Sequence, residues 1–287
     1  MRIGAAAAPR WWGIDHLGLP DYLAHLSSCG ASSVELVVHH GPATRDPSKV
    51  HLDRADWGFA VDLASQRGLH VDLHNSLDAR FQLARWSTDP AGLRADLHPI
   101  LDLLAEIERG QGWPPSFVVH AADGCQRPET ANREVLAWLV MELERRGCST
   151  TVCLELRAAV GPDDMRFDRD RERLVAFVEE QRHPSIGLCW DVANEWLTAR
   201  RAGRELELPT EAPTCLRHVH LHDATAGSLL HAPLSDGGVP WEDTFRMLRR
   251  DEWSGSVTLE IRYRLAHDDG DPWTVLAESV RRAKSVR

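Results

Sequence analysis

TVCLEL at residues 151–156 is the stretch from which the fold can be read. Successive side chains of an extended chain point to opposite sides, so Glu155 shares a face with Cys153 and Thr151 while Val152, Leu154 and Leu156 share the other. One face is wholly aliphatic, and the other carries a single acid among small neighbours. A strand covered by helices on its apolar side and enclosed on its other side has this pattern. IGLCWD at 186–191 repeats it, setting Asp191, Cys189 and Gly187 against Ile186, Leu188 and Trp190. SVTLEI at 256–261 sets Glu260 and Thr258 against Val257, Leu259 and Ile261, and SFVVH at 116–120 sets His120, Val118 and Ser116 against Phe117 and Val119.

Working outward, RIGAA near residue 3, SVELVV at 33–38, LHVDLH at 69–74 and LRHVHLH at 216–222 bring the number of such runs to eight. Helical spacing fills the intervals. Val135, Leu136, Leu139, Val140 and Leu143 form one stripe, closed by Gly147 as a C-cap. Leu174, Val175, Phe177 and Val178 form a second, and Val275, Leu276 and Val280 a third. Leu93, Leu97, Ile100, Leu101, Leu104 and Ile107 form a fourth, with Pro99 expected in the first turn, where its missing N–H costs nothing. Eight strand–helix units without a break in composition predict one domain over residues 1–287, a single (β/α)8 TIM barrel. No glycine-rich phosphate loop follows any run, which counts against a doubly wound nucleotide-binding sheet.

The chain has 287 residues, 33 of them Lys or Arg and 43 Asp or Glu, for a formal charge of −10. Hydrophobic residues at 43% and charged ones at 26% are the balance of an ordinary globular protein. No apolar run reaches the roughly 18 residues of a membrane span. The opening MRIGAAAAPRWW has no charged leader ahead of a long apolar stretch, so no export signal is expected. Six cysteines without a C-x-x-C pair fit a cytoplasmic location and free thiols. The only lysines are Lys49, in a polar loop, and Lys284, on a surface helix, so Schiff-base chemistry is disfavoured. The acid excess argues against nucleic acid as a partner.

Strand-end residues on the inner face of such a barrel are Glu35, His74, His120, Glu155, Asp191, His220 and Glu260, gathered at the end where barrel active sites are built. Converging carboxylates repel unless protonated or bound to a cation, and imidazoles add nitrogen donors, so a divalent metal is expected. The mixed donor set suits Zn²⁺, Mn²⁺ or Fe²⁺ better than Mg²⁺ or Ca²⁺. Glu155, Asp191, His220 and Glu260 are the expected ligands, with His74 and His120 candidates for a second site. Glu35 is expected to orient an arginine or a backbone amide, His218 to be a core residue, and His222 to touch substrate or support a ligand. Arg157 and Arg262 each follow a candidate glutamate by two positions and are expected to face the substrate. Trp11, Trp12, Trp190, Trp196 and Trp241 offer indole faces on which a ligand ring could stack, although Trp190 falls on the outer face of its run.

These runs resemble the xylose isomerase-like barrel superfamily of sugar isomerases, epimerases and endonuclease IV-type apurinic endonucleases. The resembling motifs are CLEL with Glu155, GLCWDVAN with Asp191, HVHLHD with His220 and Asp223, HAPLSDGGVPW with His231, and VTLEI with Glu260. SVEL with Glu35, DLHNS with His74 and VVHAADG with His120 extend the match over nearly the whole chain. For an isomerase or epimerase the resemblance implies one metal, Mn or Zn, on Glu155, Asp191, His220 and Glu260. It also implies a sugar-like hydroxy-ketone or hydroxy-aldehyde substrate, with Glu155 and Glu260 as the catalytic pair moving a proton through an enediolate. For the endonuclease branch it implies a zinc cluster that adds His74, His120 and His231. Here the chain departs, carrying Asn194 and Leu229 where a histidine and an aspartate are expected. The expected function is therefore a metal-dependent sugar or polyol isomerase or epimerase. A zinc phosphoesterase or a metal-dependent lyase or hydrolase is the alternative, and a non-catalytic barrel a third. His222, His231, Asn194, Arg157 and Arg262 are the expected substrate contacts, and a homo-oligomer is left open.

Overall fold

Eight parallel strands close into a barrel: β1 (Arg2–Ala7), β2 (Ser33–Val38), β3 (His70–Asn75), β4 (Ser116–His120), β5 (Thr151–Glu155), β6 (Ile186–Asp191), β7 (Leu216–Leu221) and β8 (Ser256–Leu259), with β8 pairing back to β1. A helix follows each: α1 (Leu19–Ser28), α2 (Arg54–Gln66), α3 (Pro90–Gln111), α4 (Pro128–Arg145), α5 (Arg171–Glu180), α6 (Val192–Arg201), α7 (Trp241–Arg250) and α8 (Pro272–Ser285). The single (β/α)8 TIM barrel read from the sequence is the fold observed. This computed structural model describes residues 1–7, 19–38, 54–75, 82–123, 125–161, 164, 166–224, 230–235, 237–262 and 271–286. Lys49, Trp11, Trp12 and Leu229 lie outside the described residues. A two-stranded antiparallel hairpin, Asp223–Ala224 with Leu230–Ala232, rises from the end of β7.

The alternation that predicted the strands separates two kinds of interior. Val152, Leu154, Leu188, Trp190, Val257 and Leu259 are all fully buried, in one continuous core with Leu97, Leu101 and Leu104 of α3 and Leu136 and Leu139 of α4. Val118, Cys153 and Cys189, on the opposite face, form a separate cluster inside the barrel. Burying one Leu or Trp side chain contributes about 1.5–3 kcal/mol, so the outer layer supplies most of the stability and leaves the inner face free for polar groups. Trp190, Trp196 and Trp241 belong to this outer core, which removes them as platforms for a sugar ring at the mouth.

Helix ends follow local rules. Gly147 sits at φ 65°, and Cys148 N–H returns to Leu143 O, closing α4 with the glycine expected. Asp89 caps α3 by accepting from Gly92 N–H, with Pro90 in the first turn. Pro99 therefore lies inside α3 rather than at its start, a correction to the sequence expectation. The leucine stripe from Leu93 to Ile107 is buried along its length, and this burial outweighs the hydrogen bond that Pro99 removes. All six cysteines are free thiols, four of them buried. Among the described residues no helix is long and apolar enough to cross a membrane.

Gly4 marks the closest approach of two strands: a Cβ there would lie 2.0 Å from Ser33 O of β2. Gly58 in α2 has open space around it. Gly4→Ala is expected to lower stability in urea unfolding by about 2 kcal/mol or more, because backbone on both sides must move. Gly58→Ala is expected to raise it by up to ~1 kcal/mol. Equal effects of the two substitutions would contradict this packing.

Candidate functional site

His220, on the inner face of β7, is fully buried and is fixed from one side. Its Nε2 donates to Glu35 Oε2 of β2 at 3.0 Å, and His218 Nε2 donates to the same oxygen at 2.9 Å while also meeting Thr258 Oγ1 at 2.9 Å. With Nε2 donating to Glu35, Nδ1 of His220 is the ring nitrogen left facing the barrel centre. Among the described residues no hydrogen-bond partner meets it, although Glu155 Oε1 lies 3.8 Å away and Glu260 Oε1 3.6 Å away. A buried imidazole whose far nitrogen is held by a carboxylate, and whose near nitrogen faces other carboxylates, is the arrangement that supports a metal ligand. Glu35 thus orients an imidazole. This corrects the expectation that it would orient an arginine or a backbone amide.

Glu155 ends β5 beside His120, its partner in the β4 register. Its Oε2 accepts from His74 Nε2 at 3.0 Å and His120 Nε2 at 2.8 Å, leaving Oε1 turned toward His220. Burial alone would raise its pKa, but His120, His220 and His74 more than offset this and hold the carboxyl well below the usual carboxylate range. Glu260 follows β8, tied by its N–H to Leu221 O. Burial pushes its carboxyl up to about 7, with His220 opposing and the nearby Glu155 and Asp191 reinforcing the rise. Two carboxyl groups a few ångströms from one imidazole are thus driven apart in acidity.

Asp191 ends β6 and caps α6, accepting Asn194 N–H at Oδ1 (2.9 Å) and the Asn194 amide at Oδ2 (2.5 Å). The Asn194 side chain is therefore turned onto Asp191. His222 Nδ1 accepts from His231 N–H at 2.9 Å, which turns its Nε2 toward Asp191 Oδ1, 3.6 Å away. His231 sits at φ 68°, a strained backbone for a non-glycine residue, with its ring against His222 at 4.3 Å between centroids. Asp223 anchors the overlying segment by accepting from the backbone N–H groups of Ala224, Ser235, Gly237 and Val239. Arg262 is exposed at the rim, its N–H bonded to His231 O. Arg157 pairs with Asp123 at 3.0 Å.

Three of the four expected ligands, Glu155, Asp191 and His220, offer atoms within reach of one ion. Glu260 joins through His220, in a group with Glu35 and His74, while His74, His120 and Glu155 form a further group and His222, His231 and Glu260 another. The donors fit a divalent cation: buried carboxylates and an imidazole nitrogen converge where, among the described residues, no arginine or lysine is paired with them. The fold brings Glu155, Asp191 and His220 together, whereas the sequence reading missed that Glu35 meets His218 and His220, for which their shared inward position was the available signal.

A closed (β/α)8 barrel with acids and imidazoles at the C-terminal ends of its strands has the layout of a barrel enzyme. The chain belongs to the xylose isomerase-like TIM barrel family, whose model matches residues 23–285. Among solved structures it resembles D-allulose 3-epimerase from Methylomonas sp. in complex with D-allulose, at TM-score 0.70 and 16% identity over 100% of this chain and 97% of that one. D-psicose 3-epimerase from Clostridium cellulolyticum H10, solved with D-tagatose, follows at TM-score 0.66 and 16% identity, covering 99% and 97%. A xylose isomerase domain protein from Alicyclobacillus acidocaldarius subsp. acidocaldarius has TM-score 0.66 at 19% identity, covering 99% and 98%. No curated protein matches the chain in sequence. At these identities the likeness carries the fold alone.

Glu35→Gln is expected to weaken Mn²⁺ or Zn²⁺ binding by roughly 10–100-fold while leaving the circular dichroism of the barrel unchanged, because the His220 tautomer is no longer held. Isothermal titration giving equal affinity for both proteins would remove Glu35 from that role.

Proposed function

We propose that this chain, acting as one domain over residues 1–287, is a divalent-metal-dependent epimerase or isomerase of a keto-sugar or related polyol. The observation that carries this is the convergence of Glu155 Oε1 and Glu260 Oε1 on the unpartnered Nδ1 of His220, with Asp191 in the same group. The ligands would be Glu155, Asp191, His220 and Glu260, and the metal Mn²⁺ or Zn²⁺. Such a cation polarises the adjacent oxygens of a hydroxy-ketone and stabilises the charge that develops when the neighbouring carbon loses its proton.

The chain's own groups handle that proton. Glu155 and Glu260 flank His220 from different strands, so one carboxylate can remove a proton from the carbon beside the carbonyl and the other return it. His74 and His120 hold Oε2 of Glu155 and keep Oε1 aimed inward. Asn194 and His222 steady Asp191, and His231, Arg157 and Arg262 stand at the rim as substrate contacts. A cytoplasmic enzyme acting on small molecules, without a nucleic-acid or membrane partner, is the setting proposed.

A second reading, a zinc phosphoesterase, draws on one observation: His74, His120 and Glu155 form a donor trio of their own beside the first. Metal content separates the two. Elemental analysis is expected to find one tightly held ion per chain, and two or more zinc ions would favour the phosphoesterase.

With Mn²⁺ present, proton NMR of ketohexoses in D₂O is expected to show deuterium entering at the carbon beside the carbonyl. Glu155→Gln and Glu260→Gln should each lower that rate by roughly 10²–10⁴-fold. If both variants exchanged at the wild-type rate, proton transfer by this pair would be wrong.

A further inference from the structure

Beside the metal donors, three guanidinium groups converge on a single carboxylate oxygen. Asp123, three residues beyond His120, accepts at Oδ2 from Arg157 Nη1 at 3.0 Å, Arg166 Nη1 at 2.8 Å and Arg169 Nη2 at 3.0 Å. A carboxylate oxygen offers about two lone-pair directions, so three cationic donors exceed what it can accommodate well. Two of the arginines have help. Arg166 forks onto Asp164 at 2.7 and 2.6 Å, and Arg169 meets Asp168 at 3.0 Å. Arg157 has none: among the described residues Asp123 is the one partner of its guanidinium, and its side chain is 25% exposed. Arg169 is almost wholly buried, and its Nε, without a hydrogen bond among the described residues, lies 3.6 Å from Asp164 Oδ2.

The position of this cluster matters as much as its composition. Arg157 lies two residues past Glu155 on the same chain segment, and Asp123 three past His120, the strand partner of Glu155. Arg157 therefore follows directly on the proposed proton-transfer pair, and Asp123 gathers Arg166 and Arg169 beside it. Guanidinium groups match phosphate and carboxylate oxygens in pairs of parallel hydrogen bonds. Building on the epimerase reading, we propose that Arg157, with Arg166 and Arg169, binds an anionic group of the substrate, so that the enzyme acts on a phosphorylated or carboxylated ketose in preference to a neutral one. Asp123 Oδ2 marks where an oxygen of that group lies. In its absence Asp123 keeps the three side chains together, as a preorganised site requires.

A purely structural network, in which the same ion pairs only tie residues 157–169 to the end of β4, predicts no preference among sugars. Binding of D-fructose, D-fructose 1-phosphate, D-fructose 6-phosphate and D-fructuronate to the Mn²⁺-loaded protein, measured by isothermal titration, separates the two. At least one anionic sugar is expected to bind thirtyfold or more tighter than D-fructose, and the better of phosphate or carboxylate identifies the group. In Arg157→Met that preference should fall at least tenfold, with Arg157→Lys recovering part of it and all three proteins melting at similar temperatures. Equal binding of charged and neutral sugars, binding of none of the anionic ones, or a preference that survives Arg157→Met would overturn the proposal. Solvent deuterium exchange on the same sugars tests the epimerase reading separately: a charged sugar that binds through Arg157 without exchanging its proton would sink that reading and leave the anion site standing.

Discussion

Everything at the centre of this barrel depends on the bond between Glu35 and the two histidines of β7. A fully buried carboxylate is tolerated only when it is paired and hydrogen-bonded, because transfer of an isolated charge into the interior is prohibitive. Glu35 meets that demand by accepting from His218 and His220 on one oxygen. Burial favours its neutral form, but the adjacent His220 and His218 hold the carboxyl well below its ordinary range. The consequence lies on the far side of the ring, where His220 Nδ1 is left without a hydrogen-bond partner and faces Glu155 and Glu260.

From that nitrogen the rest of the site is ordered outward. His74 and His120 fix one oxygen of Glu155, Asn194 fixes both oxygens of Asp191, and the His231 amide and Asp223 carbonyl both meet Nδ1 of His222. For Glu155 the effect is direct: with Oε2 held by two histidines, Oε1 is the atom turned toward His220. Acids this close cannot all be ionised without a compensating charge, and the Glu260 carboxyl is raised first by burial and further by Glu155 and Asp191. Beyond this centre Arg157, Arg166 and Arg169 are matched by Asp123, Asp164 and Asp168, so that cluster balances its own charge while the acids inside do not.

The fold was legible because the outer face of each strand is repetitive. Val152, Leu154, Leu188, Trp190, Val257 and Leu259 all pack on helices, and alternation alone assigns them. The same alternation brought Glu155, Asp191, His220 and Glu260 to one end of the barrel. It failed where local pattern and long-range packing disagree. Pro99 looked like a helix start, yet the cap at Asp89 and the buried stripe carried α3 through it. Trp196 and Trp241 looked available to substrate, yet their rings belong to the outer core. The partner of Glu35 lies 185 residues away on β7, and no local signal names it.

The sequence by itself determined the strand count, which face of each strand is polar and which residue types reach the barrel mouth. These follow from a period of two in side-chain direction and from the need to bury apolar surface. Only the tertiary structure decided which nitrogen of His220 is free, that Glu155 is held by two histidines, and that three arginines share Asp123. Those outcomes depend on closure of the barrel, because distances between side chains on strands far apart in sequence are set by the register around the ring.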